Sequence, residues 1–552
     1  MIVEEISKFI VNLDYDEIPE TAIEKAKLCF LDFLGVTNRG FLEESVQIAL
    51  KSVEELFGFN TTLNNNSNNN INNINNSNNI NNINNIENIN NNRNIYNNSN
   101  DVENSNNTEL NSNINNTNTK GINNKKSSII GNGYSNISIS GFINGISAHA
   151  LELDDGHRFA QIHPGSVVFP PAIAISEANN IDGKKFLEAV ICGYEVAIFL
   201  GILANPQHRN QGFHTSGTVG TFAAGAVVAK LLDLDLEKTI NTLGLCGTQS
   251  SGLLESDHKG TMGKHLHIGN AVYNGILSGF LAKNGFTGAG SIIDGEEGFL
   301  RSMCLEMFKN TDLCSSNNIQ DYLNHCLDEP LDEPLDEPLN ESVDRPLDEY
   351  LDKYLHKYLY ENLGKFHIND VYLKKYPFCR HLHSSIDTTL NIKNKFDFKV
   401  KNIKKITIET YKIASEHDNF NPESKEDIKQ SLPYAVAISC FDKVDINNLN
   451  CLNFAKDHNL NDIIKIINIK ESEEFNKLTP NNRPSKVIVE TNNNVYEDYI
   501  MLPKGESENP FTKEDILKKF KSLNPNFDLN KLKSIDNIES SNIADFMKTV
   551  NI

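Results

Sequence analysis

The chain reads GTFAAGAVVAKLLDLD from Gly220 to Asp235 and KHLHIGNAVYNGILSGFLAKNGF from Lys264 to Phe286. Both segments are dense in Ala, Gly, Leu and Ile, and neither shows the alternation of apolar and polar residues that is typical of half-buried strands. Small residues let neighbouring helix backbones approach closely. The region that contains both segments, residues 141–298, is therefore predicted to be a set of closely packed helices.

The first 56 residues also predict helices. Pro19 suits a first helical turn, and apolar residues follow it at spacings of three and four, which predicts a helix with one buried face. We expect Gly35 to end this helix. The apolar positions are Ala22, Ile23, Ala26, Cys29, Phe30, Phe33 and Leu34.

Two inserts interrupt the helical pattern. Residues 60–126 are rich in Asn, with too few aromatic and branched apolar side chains to bury a core, and are predicted to be disordered. Residues 311–369 contain a four-residue LDEP repeat, whose prolines remove helical hydrogen bonds. This second insert is predicted to be extended and solvated, with a short helix near Leu347.

The composition changes after the second insert. Residues 400–412 alternate like a strand, and residues 486–500 predict a hairpin that turns at Asn492–Asn494. Thr512 and Asp515 form the pattern of a capped helix behind it. The predicted fold is mainly α, with a large discontinuous all-α domain and a smaller α+β lid domain. The helical domain would comprise residues 1–59, 127–310 and 502–552, and the lid would comprise residues 370–501.

The formal net charge of −22 opposes binding to nucleic acid or to an anionic membrane surface. Much of it is local, because residues 327–352 hold eleven Asp or Glu against the single Arg345. An anionic substrate therefore stays compatible with the chain wherever basic side chains converge.

The nine cysteines include no CxxC pair, which argues against both a disulfide framework and a zinc ribbon. The acidic N-terminal segment lacks the pattern of a signal or transit peptide. The apolar stretch Gly217–Ala229 ends at Lys230 and is shorter than the roughly 18 residues needed to cross a bilayer. We expect a cytoplasmic protein with no membrane or nucleic-acid partner.

Three segments place ionisable residues among apolar or small ones. HALELDDGHRFAQIHPGS, residues 149–166, has a composition suited to proton transfer on an anionic substrate, although an acidic helix end with surface histidines is the alternative. Its candidate residues are Asp154, Asp155, His157, Arg158 and His163, and Glu152 lies beside them.

In GFHTSGTVG, residues 212–220, His214 is the functional candidate, and Thr215 or Ser216 is expected to cap the next helix. In GTMGKHLHIGNA, residues 260–271, Lys264 is the candidate clamp for a carboxylate, because a lysine in these surroundings is unfavourable unless it meets an anion. The alternative is that Lys264 extends to solvent.

A fourth segment, YPFCRHLHSSID, spans residues 376–387. On a strand, Cys379, His381 and His383 would share a face, which invites a metal-site hypothesis, but no second ligand pair supports it. Arg380 is a natural bidentate partner for a substrate carboxylate. No phosphate-binding GxxxxGK[ST], GxGxxG, GxSxG or HExxH motif occurs in the sequence.

Taken in order, HALELDDGH with HPG, GFHTSGTVGTFAA, KHLHIGNA and YPFCRH resemble the MmgE/PrpD family, which includes 2-methylcitrate dehydratase, cis-aconitate decarboxylase and iminodisuccinate epimerase. The resemblance implies a homodimer whose active site, between a helical domain and a lid, uses no metal or organic cofactor. It places the family's lysine on Lys264, its histidine on His163, its acidic motif on Asp154 and Asp155, and its lid tyrosine on Tyr434.

The resemblance also shows departures from the decarboxylase pattern. Cys379 stands where the family has a histidine, Glu152 where an Asp is expected, and Gly156 where a Thr is expected. We therefore expect a cofactor-free lyase of the hydro-lyase type that acts on a small di- or tricarboxylic acid. An epimerase or isomerase, a decarboxylase, and a non-catalytic interaction protein on the same fold are the alternatives.

In the expected mechanism, basic side chains hold the substrate carboxylates and stabilise an enediolate-like transition state. Lys264, Arg380 and Arg158 would supply this charge. His163 or His381 would move the proton, and Tyr434 or Cys379 would act on the departing group. Asp154 and Asp155 would orient His157 and His163.

Overall fold

The computed structural model describes residues 2–57, 126–304, 361–396, 398–441 and 458–550, with Thr62, Leu63, Leu359 and Val444 as isolated additions. Almost all of the Asn-rich insert, the LDEP repeat and the helix expected near Leu347 lie outside these residues. Two compact units are distinguished, residues 1–61 with 126–552 and residues 62–125. In the second unit the described structure is the two-residue strand Thr62–Leu63. All that follows concerns the first.

Most of the described residues up to Met303 are helical. They also include a short antiparallel hairpin of β1 (Lys126–Ile129) and β2 (Gly133–Asn136). The helices are α1 (Ile2–Asn12), α2 (Glu20–Gly40), α3 (Glu44–Phe57), α4 (Ile137–His149), α5 (Pro164–Asn179), α6 (Gly183–Ala204), α7 (Gln207–Asn210), α8 (Thr215–Leu231), α9 (Leu236–Gln249), α10 (Glu255–His258), α11 (Gly263–Lys283) and α12 (Phe299–Met303).

The two segments that predicted packed helices form α8 and α11, and they lie against each other. A Cβ atom added to Gly275 on α11 would lie 2.5 Å from the Cβ of Ala224 on α8. No side chain fits at that distance, so the small residues are required by the closeness of the two backbones. Every residue of α8 is buried.

Helix α2 runs on to Gly40, so the expectation that Gly35 ends it was wrong. Gly35 has a packing role, because a Cβ there would lie 2.6 Å from the Phe520 ring. Phe520 belongs to the C-terminal helix α19 (Lys513–Leu523), which begins with the predicted capping box of Thr512 and Asp515. A helical glycine can mark either a stop or a close contact, and the sequence does not distinguish the two.

A second, smaller core is built from α and β elements between Tyr376 and Val489. Its strands are β3 (Ile403–Thr410), β4 (Ile467–Glu471), β5 (Ser485–Thr491) and β6 (Val495–Ile500), and its helices are α13 (His383–Lys395), α14 (Lys412–Ser415), α15 (Lys425–Gln430), α16 (Leu432–Cys440), α17 (His458–Ile464) and α18 (Glu473–Asn476). The four strands form one sheet in the order β4–β3–β5–β6. β3 pairs in parallel with β4 and antiparallel with β5. The antiparallel pair β5–β6 confirms the predicted hairpin.

The predicted fold class, mainly α with a smaller α+β part, is confirmed. The C-terminal residues pack into the larger core, where Phe520, Ile535 and Ile538 are almost fully buried. The last helix, α20 (Ile543–Val550), contributes Phe546 and Met547 to the same core.

One helix in the described part of the chain, α6, is long and apolar enough to cross a membrane by length and composition. The apolar stretch considered in the sequence, Gly217–Ala229, lies in α8 instead. Within the protein, 94% of the apolar window of α6 is buried, as in the core helix of a folded domain.

Removal of the Ile538 side chain tests whether the C-terminal segment is part of the main core. Ile538 is 0% exposed, so Ile538→Ala should lower the free energy of unfolding by roughly 2–5 kcal/mol through lost burial and an unfilled cavity. Ile48→Ala, at a position 52% exposed, is the matched control and should change it by less than about 1 kcal/mol. Thermal unfolding followed by circular dichroism measures both, and equal melting temperatures would contradict the packing.

Candidate active site

The loop between α4 and α5 supplies most of the ionisable side chains of the candidate site. Helix α4 ends at His149, and α5 begins at Pro164. Glu152 adopts a left-handed backbone conformation, with φ of 52°. A non-glycine residue in that region is uncommon and costs roughly 1–3 kcal/mol, which occurs mainly where surrounding contacts enforce it.

Glu152 is buried between two lysines. One carboxylate oxygen forms an ion pair with Lys264 of α11, and the other accepts a hydrogen bond of 2.8 Å from Lys374. Lys264 also lies 3.2 Å from Asp257 of α10. Burial opposes the charge on Glu152, but the two ammonium groups outweigh it and hold the pKa of its carboxyl well below the usual range.

Beside Glu152, His149, Asp154 and His163 form a contiguous cluster. His149 Nδ1 lies 2.7 Å from Asp154 Oδ2, and the His149 and His163 ring centres are 4.8 Å apart. Burial raises the pKa of Asp154, but the neighbouring imidazoles and Lys374 prevail and lower it below its usual range. Burial lowers the pKa of His163 to about 3, which keeps its imidazole neutral at pH 7.

Asp155 is set apart from this cluster by its own contacts. Its carboxylate accepts hydrogen bonds from the Gly165 backbone N–H at 2.9 Å and from the Tyr194 hydroxyl at 2.5 Å. Burial raises the pKa of Asp155 to about 7, and the charge of Asp154 adds to the rise. The two adjacent aspartates therefore differ in protonation near neutral pH, and only Asp154 is firmly ionised.

His149, Asp154 and His163 also place their ligand atoms within 4.8 Å of one another, a donor set that could hold a metal ion. Three contacts oppose this use. His149 is bonded to Asp154, His163 Nδ1 lies 2.6 Å from the Asp155 carbonyl oxygen, and the Lys374 ammonium is 3.7 Å from Asp154. These contacts suit proton transfer better than metal binding, and we assign no metal to the group.

His214 lies next to this cluster at the start of α8. Its Nδ1 is 3.1 Å from His267 Nδ1, and its ring centre is 5.8 Å from that of His149. Neither Thr215 nor Ser216 caps α8, so that expectation was wrong, because His214 is the capping residue and no side chain bonds the first turn. Ser216 accepts instead from the His163 backbone N–H, at 3.0 Å.

The fourth predicted segment is not a strand. Arg380–Leu382 form a single 3-10 turn that leads into α13, so Cys379, His381 and His383 do not share a strand face. Cys379 Sγ lies 3.6 Å from His417 Nε2, and His381 Nδ1 lies 2.7 Å from the Tyr411 hydroxyl. His383 is fully buried against the Phe378 carbonyl, which removes the proposed ligand set.

Arg380 and Arg158 do not join the lysines. Arg380 Nε donates to Glu506 at 3.0 Å, and Arg158 forms ion pairs with Glu506 and Glu508. Arg483 approaches the same Glu506 at 3.7 Å. Three guanidinium groups thus surround one buried carboxylate, and the predicted substrate clamps Arg380 and Arg158 already have protein partners.

Two other candidates lie within packed structure. His157 is 2% exposed, and its Nδ1 accepts a hydrogen bond of 3.1 Å from the Ala160 backbone N–H. This bond stabilises the loop between α4 and α5. Tyr434 is 1% exposed within the second core, where Ser431 caps its helix. Roles for these two residues in catalysis stay predictions.

Of the predicted site residues, Lys264, Asp154 and His163 lie around Glu152, and Cys379 lies beside His417; their catalytic roles stay predictions. Five neighbouring residues were not among the predicted ones, namely His149, Glu152, Asp257, Lys374 and His417. His149 and Glu152 stand in a segment already singled out, where the density of ionisable residues was the available signal. Lys374 and His417 occur singly in stretches without a pattern.

The raised pKa of Asp155 makes stability depend on pH. Its folded value of about 7 exceeds the unfolded value of about 3.9, so folding binds a proton and the free energy of unfolding falls as pH rises between these values. Asp155→Asn removes this titration, so the variant should gain stability relative to the wild type as pH rises from about 4 to 7. Melting temperatures across that range measure the effect. Asp545→Asn, at a side chain 77% exposed, is the control, and parallel curves for Asp155→Asn and wild type would contradict the assignment.

Comparisons with known proteins identify the family of the chain. The family model for the MmgE/PrpD N-terminal domain matches residues 106–309, and the model for the C-terminal domain matches residues 376–539. The cis-aconitate decarboxylase-like protein oryM of Aspergillus oryzae is 30% identical over 169 residues, which cover 29% of this chain and 35% of that protein.

Two further relatives are similar to the same extent. Cis-aconitate decarboxylase of Aspergillus terreus is 32% identical over 151 residues, covering 26% of this chain and 31% of its own. Cis-aconitate decarboxylase of Homo sapiens is 31% identical over 163 residues, covering 29% and 33%. The chain thus spans about a third of the length of the curated relatives it matches. The two domain matches together show that the chain belongs to the MmgE/PrpD family.

Proposed function

We propose that the protein is a cofactor-free lyase of the hydro-lyase type that removes water from a small di- or tricarboxylic acid. One observation carries the proposal. The buried ammonium groups of Lys264 and Lys374 both contact Glu152, and the neutral imidazole of His163 lies beside them. Abstraction of a proton next to a carboxylate creates an enediolate, and fixed cations in a dry site stabilise that charge strongly.

His163 is the proposed base. Its Nδ1 lies 2.6 Å from the Asp155 carbonyl oxygen, an acceptor, so Nδ1 carries the proton and Nε2 keeps a lone pair. Asp154, 3.5 Å from His163 Nδ1, would stabilise the imidazolium formed when the base takes the substrate proton. His163 is 14% exposed in its side chain, so a bound substrate can reach it.

Lys264 and Lys374 are the proposed partners of the substrate carboxylate and the enediolate. Both lysines already bind protein carboxylates, so substrate has to displace one of them. The side chain of Asp257 is 17% exposed and that of Glu152 is 4% exposed, which makes Asp257 the easier one to displace. Lys264 would then exchange Asp257 for substrate while Glu152 stays in place.

The Cys379–His417 pair is the proposed acid for the departing hydroxyl. Burial raises the pKa of the Cys379 thiol, but the neighbouring His417 and Lys264 outweigh this effect and lower it to about 7. The pKa of His417 is raised, since the partly ionised thiol offsets the effect of burial. A pair that shares one proton near neutral pH suits transfer to a leaving group.

Decarboxylation is the second candidate, because the relatives named above are cis-aconitate decarboxylases or similar to them. It would use the same cations to stabilise the carbanion left after loss of carbon dioxide. An epimerase would use the same proton abstraction without elimination. A non-catalytic interaction protein would bind acids without changing them.

Product analysis on the full chain separates these reactions. Citrate, 2-methylcitrate and cis-aconitate, each incubated in deuterated water, should give a new conjugated double bond from one of the hydroxy acids, seen as ultraviolet absorbance and by mass spectrometry. Released carbon dioxide would favour the decarboxylase, and deuterium in recovered acid without a new double bond would favour the epimerase. A rise in melting temperature without turnover would show that the protein binds these acids without converting them.

The variant Lys264→Ala tests the role of this lysine in the same assay. Loss of one cation from a closed site should lower turnover by about 100-fold or more. Lys259→Ala, which removes a lysine 71% exposed in its side chain five positions away, should leave turnover near normal. Near-normal turnover of Lys264→Ala would contradict the assigned role.

We also propose that the chain acts as a homodimer in the cytoplasm. The six cysteines among the described residues are free, in keeping with a reducing compartment. Helix α11 exposes Leu266 and Leu277, at 44% and 38%, and Met262, the residue before the helix, is 36% exposed. An apolar stripe on one helix face is typical of a protein interface.

Light scattering tests the dimer. The wild type should have the mass of two chains, and Leu266→Glu should shift it toward one chain, because the substitution places a charge in the apolar stripe. Leu56→Glu, at a position 78% exposed on α3, is the control and should leave the mass unchanged. A wild-type mass of one chain at micromolar concentration would contradict the proposal.

A further inference from the structure

Cys379 differs from the other described cysteines in exposure and in partner. It is partly exposed, whereas Cys29, Cys192, Cys246, Cys304 and Cys440 are buried. Its sulfur lies 3.6 Å from His417 Nε2, and His417 Nδ1 lies 3.0 Å from the Gln430 carbonyl oxygen. Because a carbonyl oxygen only accepts, His417 Nδ1 carries a proton and Nε2 faces the sulfur.

This arrangement produces a nucleophile. The orientation of His417 lets Nε2 take the thiol proton and hold the resulting thiolate in a hydrogen bond. The stacked ring of His381, centred 5.9 Å from that of His417, and the backbone bond to Gln430 fix the imidazole in place. Cys379 itself is fixed by its N–H, which donates to the Lys429 carbonyl at 2.9 Å.

The electrostatic surroundings favour an anionic reaction partner. Lys264 acts on the Cys379 thiol and helps to lower its pKa. Arg209 of α7 lies near enough to His417 and His381 to disfavour their protonated forms. The positive charges of Lys264 and Arg209 therefore favour an anionic reaction partner near this pair.

We propose that Cys379 with His417 is a covalent modification site, at which the thiol adds to α,β-unsaturated carboxylic acids. The thiolate sulfur bonds to the β-carbon, the π pair moves to the α-carbon, and the His417 imidazolium returns its Nε2 proton to that carbon. The balance is addition of S–H across C=C to give a thioether, and no oxidant or reductant takes part.

The proposed modification rests on the proposed function in one respect, which is that carboxylic acids reach Cys379. Elimination of water next to a carboxylate yields an unsaturated acid, so the modifying class is also the product class of the proposed reaction. A slowly released product would then inactivate the enzyme that made it. The thiol chemistry itself does not depend on turnover.

Site-resolved peptide mass spectrometry of the full chain, treated with fumarate, iodoacetate or iodoacetamide at pH 7, tests the proposal. The peptide that contains Cys379 should gain a succinyl thioether from fumarate. For Cys379, the ratio of the rate with iodoacetate to the rate with iodoacetamide should also be higher than the same ratio for glutathione. Buried Cys440, 1% exposed in the same core, is the internal control and should stay unmodified while the protein is folded.

His417→Asn should slow labelling of Cys379 by roughly tenfold, because the thiolate fraction at pH 7 falls when the pKa returns toward about 8.5. Cys379→Ser should abolish labelling of that peptide. Unchanged melting temperatures would show that both variants fold. Labelling at the glutathione rate with no effect of His417→Asn would overturn the proposal, as would rapid labelling by iodoacetate with no fumarate adduct.

A labelling experiment with added citrate tests the modification of Cys379 and the proposed function separately. If tricarboxylates bind beside Lys264, citrate should slow labelling of Cys379 by iodoacetate. Labelling with an adduct but without protection by citrate would support the nucleophilic pair and count against the polycarboxylate site. Protection without any fumarate adduct would support the polycarboxylate site and overturn the covalent one.

Discussion

The arrangement of the candidate site depends on the buried carboxylate of Glu152 held between Lys264 and Lys374. Glu152 comes from the loop after α4, Lys264 from the first turn of α11, and Lys374 from the segment that leads into the smaller core. Three distant parts of the chain therefore meet at one carboxylate. Loss of either lysine leaves a buried charge incompletely paired, and such losses cost about 3–5 kcal/mol in other proteins. Glu152 is also one of the residues with a left-handed backbone conformation.

The fold was largely predictable because its signals are local. The small residues of α8 and α11, the hairpin at Asn492–Asn494 and the capping box at Thr512 each act within a few residues of themselves. Gly35 was misread because its partner, Phe520, lies almost 500 positions away in the sequence. A glycine that permits a distant contact carries the same letter as one that ends a helix.

The site was predictable to the extent that its members cluster in the sequence. Asp154 and His163 stand in one dense segment, and Lys264 stands out against small and apolar neighbours. Arg380 was assigned to substrate because its own partner, Glu506, lies 126 positions away and could not be seen. Lys374 and His417 have no local pattern, and only the folded chain brings them to Glu152 and Cys379.

The division of charge between the two cores bears on which reaction is favoured. The proposed base and Lys264 belong to the helical part, Lys374 lies in the segment before the smaller core, and Cys379 packs against that core. Elimination of water needs a base, an acid and cations for the enediolate, and the proposed function assigns a residue to each role. A carboxylate that leaves as carbon dioxide loses its negative charge. An ammonium group bound to that carboxylate therefore stabilises the ground state more than the transition state and slows decarboxylation. A decarboxylase would therefore have to leave the departing carboxylate unpaired while Lys264 and Lys374 hold another. The proposed elimination therefore requires that the lysines bind the carboxylate next to the abstracted proton.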